Sequence, residues 1–104
     1  MTVEIRVFGP FRDVVGRKHV TWPVTRGMTV DDLLTELVER HPAVEHYLYD
    51  DDELVHRIAI TKNKAHIGQL EGVDTVIEDG DTIRIAPPVS GGGSADYQPT
   101  EFGR

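Results

Sequence analysis

One stretch with helical periodicity places the tightest limit on how this chain can fold. Its apolar side chains recur at spacings of three and four residues and form one stripe of an amphipathic helix, made of Val30, Leu33, Leu34, Leu37 and Val38. Thr29 is a favourable N-cap and Pro42 cannot continue a helix, so the sequence predicts a helix over residues 29–41. Nothing else in the chain is apolar enough to receive this stripe, so the helix has to pack against a sheet.

Segments in which apolar and polar residues alternate predict the strands of that sheet. Residues 3–7 predict a first strand that runs into Phe8, and residues 19–24 predict a second, which Pro23 either ends or restricts to an edge. Further strands are predicted at residues 54–61, 65–67 and 82–86. The first and last strands are the richest in β-branched residues, so we expect them to be central and parallel. The predicted fold class is α+β, with one main helix across a mixed sheet of four to five strands.

Two connecting segments are less sharply defined by the sequence. Residues 12–15 predict a short helical turn within the loop between the first two strands. In the connection after the main helix, Val44 and Leu48 are spaced to share a helical face, whereas residues 50–53 are typical of a solvated acidic loop.

The last predicted strand leads into the tip Pro87-Pro88-Val89-Ser90-Gly91-Gly92. Neither proline can donate to a strand ladder, and each fixes φ, so the chain leaves the sheet as a stiff extended segment. Glycine has no Cβ, which lets the backbone beyond the prolines enter a narrow channel. The alternative for the glycines is a flexible Gly/Ser linker.

The turn Asp79-Gly80, the strand that follows it and the glycine tip resemble those of two related groups of ubiquitin-like proteins. They are the sulfur carriers that form the small subunit of molybdopterin synthase and the small archaeal ubiquitin-like modifiers. The resemblance implies a ubiquitin-like β-grasp fold over residues 1–92 with a C-terminal Gly-Gly tail. It also implies that an E1-like enzyme uses ATP to adenylate the carboxylate of Gly92 once that glycine is exposed, with Gly91 as part of the tail.

Phe8 and Phe11 flank Gly9-Pro10, and Trp22 stands near a strand end. An exposed aromatic side chain beside the tail would anchor the activating enzyme, whereas at least one of the two phenylalanines is expected to pack in the core.

The resemblance implies a protein substrate and carrier with no catalytic residues, bound cofactor or metal of its own, and it leaves the function open between two chemistries. The favoured one is a protein modifier joined through Gly92 to lysines of target proteins by an isopeptide bond. The alternative is a sulfur carrier that delivers a Gly92 thiocarboxylate to a molybdopterin-synthase large subunit or for tRNA thiolation. A non-catalytic interaction domain with a flexible linker is the weaker alternative. If the modifier conjugates to itself, the acceptor is Lys62, Lys64 or Lys18. Lys62 and Lys64 flank a predicted turn and are expected to be the more accessible.

Members of these groups end at the second glycine, whereas this chain continues to Arg104. Residues 93–104 are polar and show no periodicity, so we expect a disordered extension. The extension is either a precursor tail, which a protease removes after Gly92, or a set of residues added for expression. A protease that acts after Gly92 would also release conjugates.

Composition excludes several other classes of function. The net charge of -7 argues against direct binding of nucleic acid, and the chain has no cysteine for a thiolate metal site. No apolar run approaches membrane-spanning length and the N-terminus lacks the features of a signal peptide, so we expect a cytoplasmic protein. The five histidines lack metal-ligand spacing, and residues 50–53 lack the pattern of a calcium loop.

Overall fold

The computed structural model describes residues 1–55 and 57–88, which form a sheet covered on one face by a helix. The elements in chain order are β1 (Thr2–Val7), α1 (Pro10–Val15), β2 (His19–Pro23), α2 (Val30–Arg40), α3 (Glu45–Leu48), β3 (Tyr49–Asp50), β4 (Glu53–Leu54), β5 (Ala59–Lys62), β6 (Ala65–His66) and β7 (Thr82–Ala86). Short 3₁₀ turns lie at Pro42–Val44, Ile67–Gln69 and Gly72–Asp74. Within the described ranges, no helix has both the length and the hydropathy needed to cross a membrane.

Five strands form one sheet in the order β2-β1-β7-β5-β6. The central neighbours β1 and β7 run parallel, while β2, β5 and β6 pair antiparallel with their neighbours. The predicted α+β arrangement, with the first and last strands parallel at the centre, is confirmed. Pro23 is the last residue of the edge strand β2, where a residue without an N–H costs no ladder hydrogen bond.

Helix α2 packs its predicted stripe on the sheet. Val30, Leu33, Leu34 and Leu37 are fully buried, and Val38 is partly buried at the margin of the core. A capping box fixes where the helix begins, because Thr29 Oγ1 accepts from the Asp32 N–H at 3.2 Å and Asp32 Oδ2 accepts from the Thr29 N–H at 3.0 Å.

Trp22 lies in the edge strand β2, and its side chain contacts α2. Its side chain is 3% exposed, its Nε1 donates to Glu36 Oε1 at 2.9 Å, and the Arg40 guanidinium lies 4.7 Å from the ring centroid. These contacts satisfy the indole N–H and place a cation over the ring. Trp22 is therefore a core residue, and the hypothesis that it anchors a partner is wrong.

The third predicted strand differs from the structure. Residues 54–61 were predicted as one strand, but Leu54 belongs to a separate small hairpin of β3 and β4, and β5 begins at Ala59. A turn separates the two strands, in which the Ile58 N–H donates to the Val55 carbonyl and Arg57 has φ +65°. Arginine rarely adopts a positive φ, so the residue type at position 57 did not indicate a break in the strand.

The ambiguous segment before this hairpin is helical and partly buried. A 3₁₀ turn at Pro42–Val44 continues into α3, and Val44 and Leu48 are both fully buried, as a shared helical face requires. The acidic residues that follow form a tight hairpin turn, in which Asp51 and Asp52 both have positive φ.

A buried carboxylate, Asp81, fixes the start of β7. Its Oδ2 accepts from the Glu78 N–H at 2.8 Å and its Oδ1 accepts from Asn63 Nδ2 at 3.1 Å. Lys62 Nζ lies 3.5 Å from Oδ2, and the Asp81 side chain is 11% exposed. The carboxylate thus joins the β5–β6 turn to the strand that carries the tail.

We expect Asp81→Ala to lower the free energy of unfolding by about 2–3 kcal/mol, because hydrogen bonds to a charged, buried group are lost and their donors are left without partners. Denaturant unfolding of the variant and the parent measures this. Asp81→Asn keeps the size and one acceptor oxygen and should lose less. Equal stability of the alanine variant and the parent would contradict a structural role for this carboxylate.

Candidate functional site

The candidate site is the point where the chain leaves the sheet. β7 ends at Ala86, and the Phe8 N–H donates to the Ile85 carbonyl at 3.1 Å, which extends the β1–β7 ladder to its end. Pro87 is half-buried and Pro88 is exposed. The predicted reactive residues, Gly91 and Gly92, lie outside the described residues, so their role remains a prediction.

Gly9 forms the seat of Pro87. A Cβ on Gly9 would lie 3.0 Å from Pro87 Cγ and 3.2 Å from Pro87 Cδ, so a side chain there would crowd the proline ring, which would have to move by a few tenths of an ångström. Gly9 has φ +59° and ψ −136°, a conformation that is essentially restricted to glycine. Its carbonyl accepts from the N–H groups of Arg12 and Asp13, which fixes it to the first turn of α1. The direction in which Pro87 leaves the sheet is therefore set by α1 as well as by β7.

The two phenylalanines that flank Gly9 have different environments. Phe11 is fully buried and its ring meets Tyr47 edge to face, at 6.1 Å between centroids. Phe8 is 44% exposed and lies at the end of β1, beside the tail-bearing strand. Of the aromatic residues proposed as anchors, Phe8 is thus the one that remains accessible.

The three lysines differ in how available their amines are. Lys62 Nζ donates to the Val76 carbonyl at 3.0 Å and lies near the carboxylates of Asp81 and Glu78, and its side chain is only 19% exposed. Lys64 lies in the turn between β5 and β6, and Lys18 precedes β2; both are exposed. Lys62 is on the same strand face as the buried Ile60, which explains why it is less accessible than its position beside a turn suggested.

The described residues include few other groups that could bind a metal ion or take part in acid–base chemistry. Among residues 1–55 and 57–88, no group of three or more histidine, aspartate or glutamate side chains is placed to hold a metal ion. Burial raises the pKa of the Tyr49 phenol, and the nearby carboxylates of Asp31 and Glu45 raise it further. Tyr49 lies in β3, outside the five-stranded sheet that carries the tail.

The role of Gly9 was missed in the sequence. Gly9-Pro10 indicates a break after the first strand, but a glycine at the end of a central strand can also mark a close approach of another backbone. The approach of Pro87 depends on the pairing of β1 with β7, which is a long-range contact.

Comparison with known proteins places the chain among small modifiers and carriers. The ThiS family matches residues 5–92. Small archaeal modifier protein 3 of Haloferax volcanii is 36% identical over 92 residues, which are 88% of this chain and all of the relative. Small archaeal modifier protein 1 of the same organism is 34% identical, over 86% of this chain and all of the relative. The molybdopterin synthase sulfur carrier subunit of Chlamydomonas reinhardtii is 26% identical, over 88% of this chain and all of the relative.

Solved structures agree with this placement. The crystal structure of small archaeal modifier protein 1 of H. volcanii superposes with a TM-score of 0.76 and 30% identity, over 85% of this chain and 98% of that chain. The CysO chain of Amycolatopsis orientalis, solved in a complex with BexX, superposes with a TM-score of 0.71 and 26% identity, over 86% of this chain and 99% of that chain.

The β-grasp fold implied by the glycine tip is thereby confirmed. Sequence, topology and the tail-bearing central strand all agree with one assignment. The chain belongs to the ThiS family of ubiquitin-like β-grasp proteins, and it is similar both to small archaeal modifiers and to molybdopterin-synthase sulfur carriers.

Proposed function

We propose that this chain is a ubiquitin-like protein modifier that is activated at Gly92 and conjugated to lysines of other proteins. The observation that carries the proposal is the similarity to two small archaeal modifier proteins over the whole of their length. The match to the ThiS family extends to Gly92, the second glycine of the tip. In this proposal the chain has no active site and binds no cofactor, and its E1-like partner uses ATP.

The chemistry requires a free carboxylate on Gly92. In the activating enzyme that carboxylate would attack the α-phosphorus of ATP, pyrophosphate would leave, and an acyl-adenylate would form. A neutral lysine amine would then attack the carbonyl carbon, lose a proton and release AMP, leaving an isopeptide bond. This chain contributes by positioning the carboxylate. Residues 87–92 span at most about 20 Å when extended, and Gly9 fixes the position of Pro87, where this segment begins.

Mass spectrometry of target proteins from the source cells tests the proposal. Arg84 is the last trypsin site before Gly92, so a trypsin remnant on a target lysine would comprise residues 85–92 rather than two glycines. A Ser90→Arg variant would shorten this remnant to Gly91-Gly92 and serves as an internal check. If the chain is recovered only intact to Arg104 and no lysine carries either remnant, the modifier proposal is wrong.

A sulfur carrier is the second candidate function. It is favoured by the similarity to the C. reinhardtii sulfur carrier subunit over the whole of that protein. Here a sulfur donor would attack the same adenylate and leave a thiocarboxylate on Gly92, for a molybdopterin-synthase large subunit or for tRNA thiolation. The intact mass of the recovered chain separates the two functions, because the thiocarboxylate replaces one oxygen by sulfur and the isopeptide does not.

If the modifier conjugates to itself, we predict that Lys62 is the poorest acceptor. Its amine is already bonded to the Val76 carbonyl and lies near two carboxylates, whereas Lys64 and Lys18 are exposed. Brief treatment of the folded chain with acetic anhydride should acetylate Lys64 several-fold faster than Lys62, as measured by peptide mass spectrometry. The denatured chain is the control and should show similar rates at both positions. Equal rates in the folded chain would contradict the prediction.

A further inference from the structure

Two apolar side chains on the connection between β6 and β7 are exposed in the same groove. Leu70 and Val76 are each 44% exposed, and both line a groove of about 510 Å³. The lining is completed by Lys62, Glu71, Thr75 and Glu78. Ligand pockets in proteins have volumes of about 300–1,000 Å³, so this groove is large enough to hold a ligand. We call this surface the loop groove.

Hydrogen bonds hold the backbone of the loop groove to the rest of the fold. The Thr75 carbonyl accepts from the Val30 N–H at 2.9 Å, at the start of α2, and the Val76 carbonyl accepts from Lys62 Nζ at 3.0 Å, on β5. Within the loop, Thr75 Oγ1 accepts from the Glu71 N–H at 3.0 Å. The exposed side chains therefore project from a restrained backbone, and a partner that bound them would have little ordering entropy to overcome.

The core does not account for the exposed pair. The same connection already supplies Ile67 and Ile77 to the core, where they are 5% and 1% exposed. Leu70 and Val76 are left in contact with water. A single exposed apolar side chain needs no explanation, whereas adjoining ones with a polar rim are typical of an interaction site.

Carboxylates form that rim. Residues 67–79 contain four acidic residues and no lysine or arginine, and the four are all exposed: Glu71, Asp74, Glu78 and Asp79. The ammonium group of Lys62 does not reverse this charge, since it already lies 3.5 Å from Asp81 Oδ2 and 3.9 Å from Glu78 Oε1. A partner that surrounds apolar side chains with lysines or arginines is therefore complementary to the loop groove.

The loop groove lies away from the tail in two respects. Lys62 pairs with Ile83 near the start of β7, whereas the tail follows Ala86 at the end of that strand. Lys62 also shares a strand face with the buried Ile60, so the groove lies on the helix side of the sheet. A protein bound there would leave the tail accessible.

We propose that the loop groove is a docking site for a basic amphipathic helix of a partner protein. The apolar side chains of that helix lie between Leu70 and Val76, and its lysines or arginines meet the surrounding carboxylates. Apolar side chains at helical spacing project from one face, which is how a helix fills such a groove. The partner binds without using the tail, so it recognises the free chain and a conjugate alike; only the recognition of conjugates rests on the proposed function.

The test is binding of a synthetic peptide, made of leucine and lysine at helical spacing, to the full chain. Amide chemical shifts locate the bound peptide, and titration gives the Kd. We expect saturable shifts centred on residues 67–79. Leu70→Ser and Val76→Ser should each raise the Kd about tenfold, a typical loss for an apolar anchor. Glu71→Lys should also weaken binding and should reduce its dependence on salt.

Three variants serve as controls, each with a parental unfolding midpoint. Phe8→Ser removes a side chain that is also 44% exposed but lies at the tail, and it should leave the Kd unchanged. Glu39→Lys repeats the charge change of Glu71→Lys on an exposed residue near the other end of α2, and it should have little effect. Leu70→Met keeps an apolar side chain in the groove and should bind like the parent.

Shifts centred on α2, or equal weakening by Glu39→Lys and Glu71→Lys, would overturn the proposal, because attraction to net charge would then explain the binding. So would amide signals of the loop groove that move when residues 93–104 are removed, since the end of the chain itself would then occupy the groove. Peptide binding without conjugates in the source cells would refute the proposed function and leave the docking site in place. Conjugates without peptide binding would refute the docking site alone.

Discussion

A chain that ends at Gly92 is expected to be adenylated by its E1-like enzyme, while chains that end at Gly91 or continue to Arg104 are not. In the long form the Gly92 carbonyl is part of a peptide bond and offers no carboxylate. In the short form the carboxylate stops one residue before the reacting position. Misplacement of a reacting group by about 1 Å costs roughly 100-fold in rate, and one residue is a larger displacement.

ATP–pyrophosphate exchange with the three chain lengths measures this directly, and the rates of the long and short forms should fall at least about 100-fold below that of the Gly92 form. Unfolding midpoints provide the control, because none of the three chains differs within the described sheet. Activation of the chain that runs to Arg104, without prior cleavage, would show that Gly92 is not the reactive residue.

Gly9→Ala is expected to be the most damaging single methyl addition near the tail. The new Cβ would lie 3.0 Å from Pro87 Cγ, and the backbone at φ +59° and ψ −136° is unfavourable for alanine. Strained conformations of this kind cost about 1–3 kcal/mol each, and the proline ring must also move by a few tenths of an ångström. We expect lower stability and a shifted tail, which would reduce activation more than the loss of stability alone explains.

Gly16→Ala is the matched control for this variant. Gly16 ends α1, as Gly9 begins it, and also has positive φ, but a Cβ on it would meet nothing within 4 Å. Thermal unfolding and pyrophosphate exchange should show that both variants lose stability and that Gly9→Ala alone loses activation. Adding Pro87→Ala to Gly9→Ala should restore part of the activation. Equal activation of the two glycine variants would show that the seat of Pro87 does not direct the tail.

The sequence was sufficient to predict the arrangement of the main elements. The stripe of α2 has a clear helical period, and the alternation in β1 and β7 is regular, so a helix on a sheet with a central parallel pair followed from pattern alone. The prediction failed at residues 54–58, where the apolar spacing suits a strand but Arg57 adopts a left-handed turn. Tertiary packing determined the backbone conformation of this segment, and the local sequence pattern does not reveal such packing.

The sequence predicts a reactive tail at Gly92, which stays a prediction, but it did not indicate the contacts that hold the start of the tail. The glycine tip and the exit at Pro87 are local features, and the sequence displays them. The contact of Gly9 with Pro87 and the hydrogen bond that restrains Lys62 both depend on which segments become neighbours in the fold. These features can be identified only from the register of the sheet, which the local sequence pattern does not determine.

The position of β7 between β1 and β5 also relates the order in which the chain is synthesised to the completion of its sheet. On a ribosome, the hairpin of β1 and β2 and the hairpin of β5 and β6 are made first, but only the last strand joins them into one sheet. Pairing of Glu4 with Thr82 is among the most distant contacts in the chain, and such contacts form late. A product terminated before Thr82 would therefore lack both a completed sheet and the terminal glycine. The strand that completes the sheet is thus also the one that directly precedes the tail.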